Sequence, residues 1–301
     1  MNEKEANQRC SQALHLAKRK KADEFYTDIK DIREELKHHK KSFEGKVIYC
    51  NCDDPKESNF FRYFFDNFKE LKLSKLIATH FIPRDNDLFG TNSNPAPTRA
   101  EVTQENDTLY LEVRDLKGDG SFDSAECIKY LKEADIVVTN PPFSLYRAYL
   151  KFLFLHKKDF LLLAPTTIFS NRDLFNYIKN KKLTCGYTAN SMGYTTPYRK
   201  KKAFVSCLWL TTLPVCKKQA KQKYIELKAE FAEENYPFYD NYYAREVSNI
   251  ADLPKNYYGL LGVPVSVFWK VDLENWELVD MRNPRLNNKS LFKRILIKKV
   301  N

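Results

Sequence analysis

The chain has 301 residues, a formal net charge of +11, 43% hydrophobic and 30% charged residues, which is enough for one large α/β domain plus an appended region. No apolar run is long enough to cross a bilayer, MNEKEANQRC has no hydrophobic signal segment, and the seven scattered cysteines match no zinc spacing, so neither membrane insertion, secretion, a metal site nor a disulfide framework is expected. A cytoplasmic protein with reduced thiols and a polyanionic partner fits these numbers.

In chain order, residues 1–21 read as a basic arm, helical or frayed, holding Lys18-Arg19-Lys20-Lys21. Residues 22–45 are helix-rich, with Ile29, Ile32 and Leu36 at helical spacing. A strand over 46–51 runs into Cys52-Asp53-Asp54-Pro55. A helix follows in which Phe60, Phe61, Phe64, Phe65 and Phe68 form a broad apolar face, as core aromatics do. Residues 76–81 form a second strand. The Asn- and Pro-rich stretch 84–100 is predicted as a loop, 108–113 as a strand and Gly118-Asp119-Gly120 as a turn. Helices are predicted over 125–132, 146–156 and 171–179. Buried strands are predicted over 134–139 (ADIVVT) and 160–165, and a late strand over 204–210 as one arm of a hairpin. Residues 184–200, with Tyr187, Tyr194 and Tyr198, read as a loop facing the polyanion.

Alternating strands and helices predict an α/β fold, a mostly parallel twisted sheet with helices on both faces. Composition shifts near 215 to polar, Tyr-rich sequence (Tyr236, Tyr239, Tyr242, Tyr243, Tyr257, Tyr258), which divides the chain into arm 1–21, catalytic domain 22–215 and C-terminal region 216–301. Further basic clusters are Lys179 with Lys181-Lys182, Arg199-Lys200-Lys201-Lys202, and Lys217-Lys218 with Lys221 and Lys223. Such groups give salt-dependent affinity for phosphates, and the Arg199–Lys202 run is a candidate contact with that polyanion; solubility alone is the plain alternative.

The motif that carries chemistry is Asn140-Pro141-Pro142-Phe143, directly after the 134–139 strand, where ligands bind in open α/β sheets. It suits methyl transfer to a planar, poorly nucleophilic amine, most often adenine N6. The amine must become more tetrahedral to attack. The Asn140 side-chain oxygen and the Pro141 carbonyl, held in a proline-stiffened turn, can accept its two hydrogens and so favour that geometry. Phe143 would stack on the base. In a duplex the nucleotide must first be flipped out of the helix. The alternative is that the prolines merely end a strand.

A nucleotide-type ligand should sit at Asn51-Cys52-Asp53-Asp54-Pro55, a turn without the usual glycines. Asp53 or Asp54 can accept from an amino group of that ligand, or simply cap the next helix. Phe25-Tyr26-Thr27 offers rings for a sulfonium by cation–π attraction, or core aromatics. In GDGSFD, Asp119 and Asp123 flank Phe122, a carboxylate-and-ring set for an adenine or an ordinary turn. The 76–81 strand ends in His80-Phe81 rather than in an acid for ribose hydroxyls, leaving Asp85 and Asp87 as substitutes.

With these residues assembled, the chain resembles the EcoRI-type adenine-specific DNA methyltransferase family. The similarity runs through DEFYTDIKDIREELKHHKKSFEGKVIYCNCDDPKESNFFRYFFDNF, KGDGSFDSAECIKYLKEADIVVTNPPFSLYRAYL, YDNYYAREVSNIADLPKNYYGLLGVPVSVF and the ending LFKRILIKK, from about residue 22 onward. The resemblance implies a class I, Rossmann-like fold and an S-adenosylmethionine-dependent enzyme, bacterial or phage-encoded, acting on duplex DNA as a monomer. It would protect DNA from a restriction endonuclease without a stable complex, or act alone. It carries Asn140, Pro141, Pro142 and Phe143 over as catalytic, and Phe25, Tyr26, Thr27, Asn51, Cys52, Asp53, Asp54, Pro55, Asp119, Phe122 and Asp123 as the cofactor side. Relatives with GDGDF have an acid where Ser121 stands, which shifts the adenine contact to Asp119 or Asp123. The rivals are an RNA adenine or protein glutamine methyltransferase with the same motif, and a DNA-binding protein whose catalysis has decayed.

Overall fold

The computed structural model describes residues 26–82, 96–196, 199–216 and 224–300, without the side chains of Tyr26 and of 189–205. Phe25, Asp85, Asp87, the 18–21 cluster, Tyr198 and Lys217, Lys218, Lys221 and Lys223 lie outside the described residues. Two units are present. One comprises the chain to Thr166 together with Asn190–Pro214; the other comprises Thr167–Ala189 and the chain from Val215. Composition placed a division near 215, and the second unit also takes in 167–189.

The strands of the first unit are β1 (Tyr26–Thr27), β2 (Val47–Cys50), β3 (Lys75–Thr79), β4 (Thr98–Glu105), β5 (Thr108–Asp115), β6 (Ile136–Thr139), β7 (Asp159–Pro165), β8 (Thr184–Thr196), whose residues 184–189 count with the second unit, and β9 (Arg199–Thr211). They form one nine-stranded sheet in the order β1-β8-β9-β7-β6-β2-β3-β4-β5. Its centre is parallel, β3-β2-β6-β7, and the pairs β3–β4, β4–β5 and β7–β9 are antiparallel. All four residues of β6 are buried, as a strand covered on both faces requires.

The helices are α1 (Ile29–Leu36), α2 (Lys40–Phe43), α3 (Asn59–Asp66), α4 (Ala125–Glu133) and α5 (Tyr146–Leu155). Strand alternation explains their placement. Ile48, Cys50, Leu76, Ala78, Ile136, Val138, Leu161 and Leu163 pack with Ile32 and Leu36 of α1 and Phe60, Phe61 and Phe64 of α3. The intervening Tyr49 points the other way and meets Tyr130 of α4 edge-on at 6.4 Å. Helix starts follow their caps: Asp28 accepts from Lys30 N–H at 2.9 Å, and Ser124 from Cys127 N–H at 3.1 Å.

Two predicted loops are corrected. The end of the 84–100 stretch belongs to β4, whose Ala100 and Val102 point inward while Arg99, Glu101 and Thr103 are only partly covered. Those polar residues hid the strand. Of the 184–200 stretch, Thr184–Thr196 is the strand β8 and residues 199–200 start β9. Their Thr and Tyr content is strand-forming, but the interspersed Gly and Asn residues read as loop.

In the second unit, α6 (Arg172–Lys179), α7 (Val267–Lys270) and a four-stranded sheet, β10 (Arg245–Glu246), β11 (Leu260–Pro264), β12 (Trp276–Arg282) and β15 (Arg294–Lys299), are joined by the β13 (Arg285–Leu286)–β14 (Lys289–Ser290) pair. Arg172 and Lys179 tie α6 to β12 through Asp280 (2.8 Å) and the Val279 carbonyl (2.6 Å). Among the described residues no helix is long and apolar enough to cross a membrane.

Candidate active site at the strand tips

Because β2, β3, β6 and β7 are parallel, their C-terminal residues Cys50, Thr79, Thr139 and Pro165 lie along one edge of the sheet. The turn after β2 is fixed there by its own polar groups. The Asp53 N–H donates to the Thr79 carbonyl at 3.0 Å. Asp53 is buried, with 7% of the residue exposed. It accepts from the Ser58 hydroxyl at 2.7 Å and the Thr139 hydroxyl at 2.5 Å. Ser58 is also the cap of α3, accepting from the N–H groups of Phe60 and Phe61. One carboxylate therefore ties the turn after β2, the α3 N-terminus and the residue before Asn140. Burial raises its pKa to about 6, against the pull of the two hydroxyls.

Asn51 is buried, and its carbonyl oxygen accepts from the Tyr149 phenol of α5. Its Nδ2 is also buried and has no hydrogen-bond partner among the described residues. Burial raises the pKa of Cys52, whose Sγ reaches Asn51 Oδ1 at 3.8 Å, so Cys52 stays a thiol. Asp54 Oδ1 accepts from Lys56 N–H at 2.9 Å, and Oδ2 lies 3.7 Å from His80 Nε2 on the neighbouring tip. Burial lowers the His80 pKa, with Asp54 pulling the other way, so the imidazole is neutral at neutral pH. Pro55 is half-buried.

The structure brings Thr27 to this cluster. The Thr27 carbonyl accepts from Asn59 Nδ2 of α3 at 2.8 Å, and its buried Oγ1 has no partner among the described residues. Tyr26 and Thr27 pair with Thr195 and Tyr194 of β8.

The GDGSFD turn docks on the tip of β3. Ile82 N–H donates to the Asp119 carbonyl at 3.0 Å, and Asp119 Oδ1 accepts from Ser121 N–H at 3.0 Å. Gly120 has φ +74°, and a Cβ there would stand 1.9 Å from the His80 carbonyl oxygen, so glycine is needed for both conformation and space. Asp123 accepts from the Ser121 hydroxyl at 2.7 Å. Phe122 is 4% exposed, edge-on to Tyr149 at 4.9 Å and Phe152 at 5.1 Å. It clamps the turn to α5 rather than presenting an open ring face.

Asn140 follows β6 and is half-buried beside the tied Thr139. Pro141 is buried. Pro142 (φ −56°, ψ 126°) starts a single 3-10 turn, Phe143–Leu145, its carbonyl accepting from Leu145 N–H at 3.0 Å. Helix α5 begins at the next residue, so the motif is pinned between a buried strand and a helix. Phe143 is half-buried against the core.

Arg199, Lys200, Lys201 and Lys202 start β9. The register pairs Cys207 with Pro165, the last residue of β7, so residues 199–206 run on past the tip edge. Thus the structure gathers Thr27, Asn51–Pro55, Asp119–Asp123 and Asn140–Phe143 at one edge and starts the basic run beyond it. Sequence reasoning missed Ser58, His80, Thr139 and Tyr149 as supporting groups. Ser58 alone had a signal, a capping residue ahead of a phenylalanine-rich helix.

A parallel-centred sheet with an Asn-Pro-Pro-Phe tip and a facing cofactor-type turn is the architecture of a class I methyltransferase. A family model described as "Adenine-specific methyltransferase EcoRI" matches residues 13–300, and the chain belongs to that family. The Type II methyltransferase M.EcoRI of Escherichia coli is 37% identical, over 97% of this chain and 98% of that protein. M.MgeORF184P of Mycoplasma genitalium is 35% identical over 89% of this chain and 86% of its own, and M.MpnI of Mycoplasma pneumoniae 33% identical over 89% and 85%. Both are also named Type II methyltransferases. No solved structure matches the chain.

Proposed function

We propose that the chain transfers a methyl group from S-adenosylmethionine to the N6 amine of a flipped-out adenine at a specific sequence in duplex DNA. The reading rests chiefly on Asn140-Pro141-Pro142-Phe143, rigidly held at the tip of β6 and tied through Thr139 to the turn after β2. When bound, the cofactor supplies an electrophilic sulfonium methyl.

The residues present suit such a cofactor. Asn51 Nδ2 and Thr27 Oγ1 are buried polar atoms without protein partners among the described residues, a state that native folds keep mainly where a ligand or water completes them. Among the described residues Asp54, beside neutral His80, is an acid available for a ribose diol, alongside the Asp85 and Asp87 candidates that lie outside them. Asp119 and Asp123 stand at the adenine side, and Phe122 and Pro55 act as packing for these groups. Asp53, with both oxygens engaged by hydroxyls, holds the turn and the Asn140 tip in register.

At the target, the Asn140 oxygen and the Pro141 carbonyl accept the two N6 hydrogens and favour a tetrahedral amine, while Phe143 stacks on the base. Proton loss follows methylation, so no general base is assigned. Arg199–Lys202 contact phosphates, region 216–301 serves target recognition, and residues 1–21 are an accessory arm. The chain works as a cytoplasmic monomer, alone or alongside a restriction endonuclease.

The test is incubation with methyl-labelled S-adenosylmethionine and mixed duplex DNA, RNA or protein, followed by hydrolysis and chromatography. Label in N6-methyladenine from DNA supports the proposal. Label only in RNA or in glutamine overturns it.

A further inference from the structure

Of the six tyrosines that mark the C-terminal region, the structure buries Tyr236 and Tyr239 and leaves Tyr243 88% exposed. Tyr243 is the outer end of a run of stacked groups within the second unit. Its ring lies on Phe238 at 5.0 Å and 23°. The Arg245 guanidinium lies 4.0 Å from the Phe238 centroid and 5.3 Å from that of Phe231. Phe231 stacks in turn on Tyr257 at 4.2 Å and 22°. Arg245 is fixed by the Tyr236 carbonyl at 2.7 Å and by the Glu233 carboxylate.

The loop carrying Tyr243 is equally fixed. Asp240 accepts from the N–H groups of Asn287 (3.2 Å) and Asn288 (2.7 Å), and Asn241 Oδ1 accepts from Arg285 N–H at 2.8 Å. A large ring is thus held rigid and open to solvent, although burying it would be favourable. A guanidinium beneath the stack polarises the aromatic rings above it and favours an electron-rich planar group on the free face. The chain carries +11 net charge, and a purine or pyrimidine of a polyanion answers both features.

We propose that Tyr243 is a base-stacking residue, its free face receiving a nucleobase displaced from the stack of the bound duplex. The inference rests on the DNA reading above and adds to it an interaction that depends on no phosphate.

The test uses the full chain and its Tyr243→Ala, Tyr243→Leu and Tyr243→Phe variants. Affinities are measured by fluorescence anisotropy for a short fluorescein-labelled duplex with one unpaired adenine and for its fully paired counterpart, at several salt concentrations. Tyr243→Ala and Tyr243→Leu should both weaken binding roughly 5- to 150-fold, the span of one base–aromatic stack. Tyr243→Phe should stay within about twofold of the parent. The slope of log Kd against log salt should not change, because the same number of counterions is released. Melting temperature should hold in all variants and so report on folding. Unchanged affinity in Tyr243→Ala, equal binding by Leu and Phe, or a reduced salt slope overturns the inference. Methyl transfer to DNA by the parent chain is measured alongside. Its absence with the Tyr243 effect intact removes the enzymatic reading alone. Its presence with no Tyr243 effect removes the stacking role alone.

Discussion

Asp53→Asn separates the charge of the buried carboxylate from its shape. In the folded chain Asp53 titrates near 6, against an ordinary 3.8, because burial disfavours the anion. A raised carboxyl pKa means that the native state holds the proton more tightly than the unfolded state. The stability this contributes is complete below pH ~4 and is lost as pH rises through about 6. A shift of about two units corresponds to about 3 kcal/mol carried as a cost by the native state at pH 8. Asn copies the protonated acid, accepting from one hydroxyl and donating to the other, and does not titrate. The variant should therefore be more stable than the parent by about 3 kcal/mol at pH 8 and by about half of that at pH 5. At roughly 2–4 °C per kcal/mol for a unit of this size, Tm should rise by about 6–12 °C at pH 8 and about half that at pH 5. Thermal melting of both chains across this range reads the difference directly, since all other titrating groups cancel. A variant less stable than the parent at pH 8, or a gap independent of pH, would refute the reasoning. The anion would then be compensated by a charge that none of the described residues places beside it.

Gly120→Ala should destabilise the chain by at least about 2 kcal/mol, since it adds the cost of a left-handed residue to a clash with a backbone carbonyl; an unchanged melting temperature would show that the turn does not rest on β3. Replacing Lys200, Lys201 or Lys202 by Ala should lower the slope of log Kd against log salt by about 0.9 for each phosphate no longer neutralised, and an unchanged slope would place the run away from DNA.

Much of the first unit was legible because its signals are local. Ile136-Val137-Val138 is a short β-branched apolar run, the pattern of a strand buried on both faces, so β6 and the motif at its end emerged together. The phenylalanine helix was equally plain from its spacing. Polar strands were not legible. β4 alternates Arg99, Glu101 and Thr103 with inward Ala100 and Val102, and its strand character is set by pairing with β3, which no local pattern encodes. The candidate site divides the same way. Asn140–Phe143 and the CDDP turn announce themselves, whereas the Tyr149 phenol reaches Asn51 across 98 residues of sequence. Thr139 reaches Asp53 across 86. Such partners exist only once the parallel strands are side by side. Phe122 reads as a stacking ring in sequence and becomes core because α5 passes over it.

The account depends on Asn140 acting on the amine during transfer rather than on binding. Single-turnover methyl transfer by Asn140→Ala, with duplex and S-adenosylmethionine both saturating, tests this most directly. By analogy with loss of one oxyanion-hole donor, about 2.7–4 kcal/mol of barrier, the rate should fall roughly 100- to 1000-fold with little change in either Kd. A rate within about threefold of the parent, or a loss confined to binding, would contradict it.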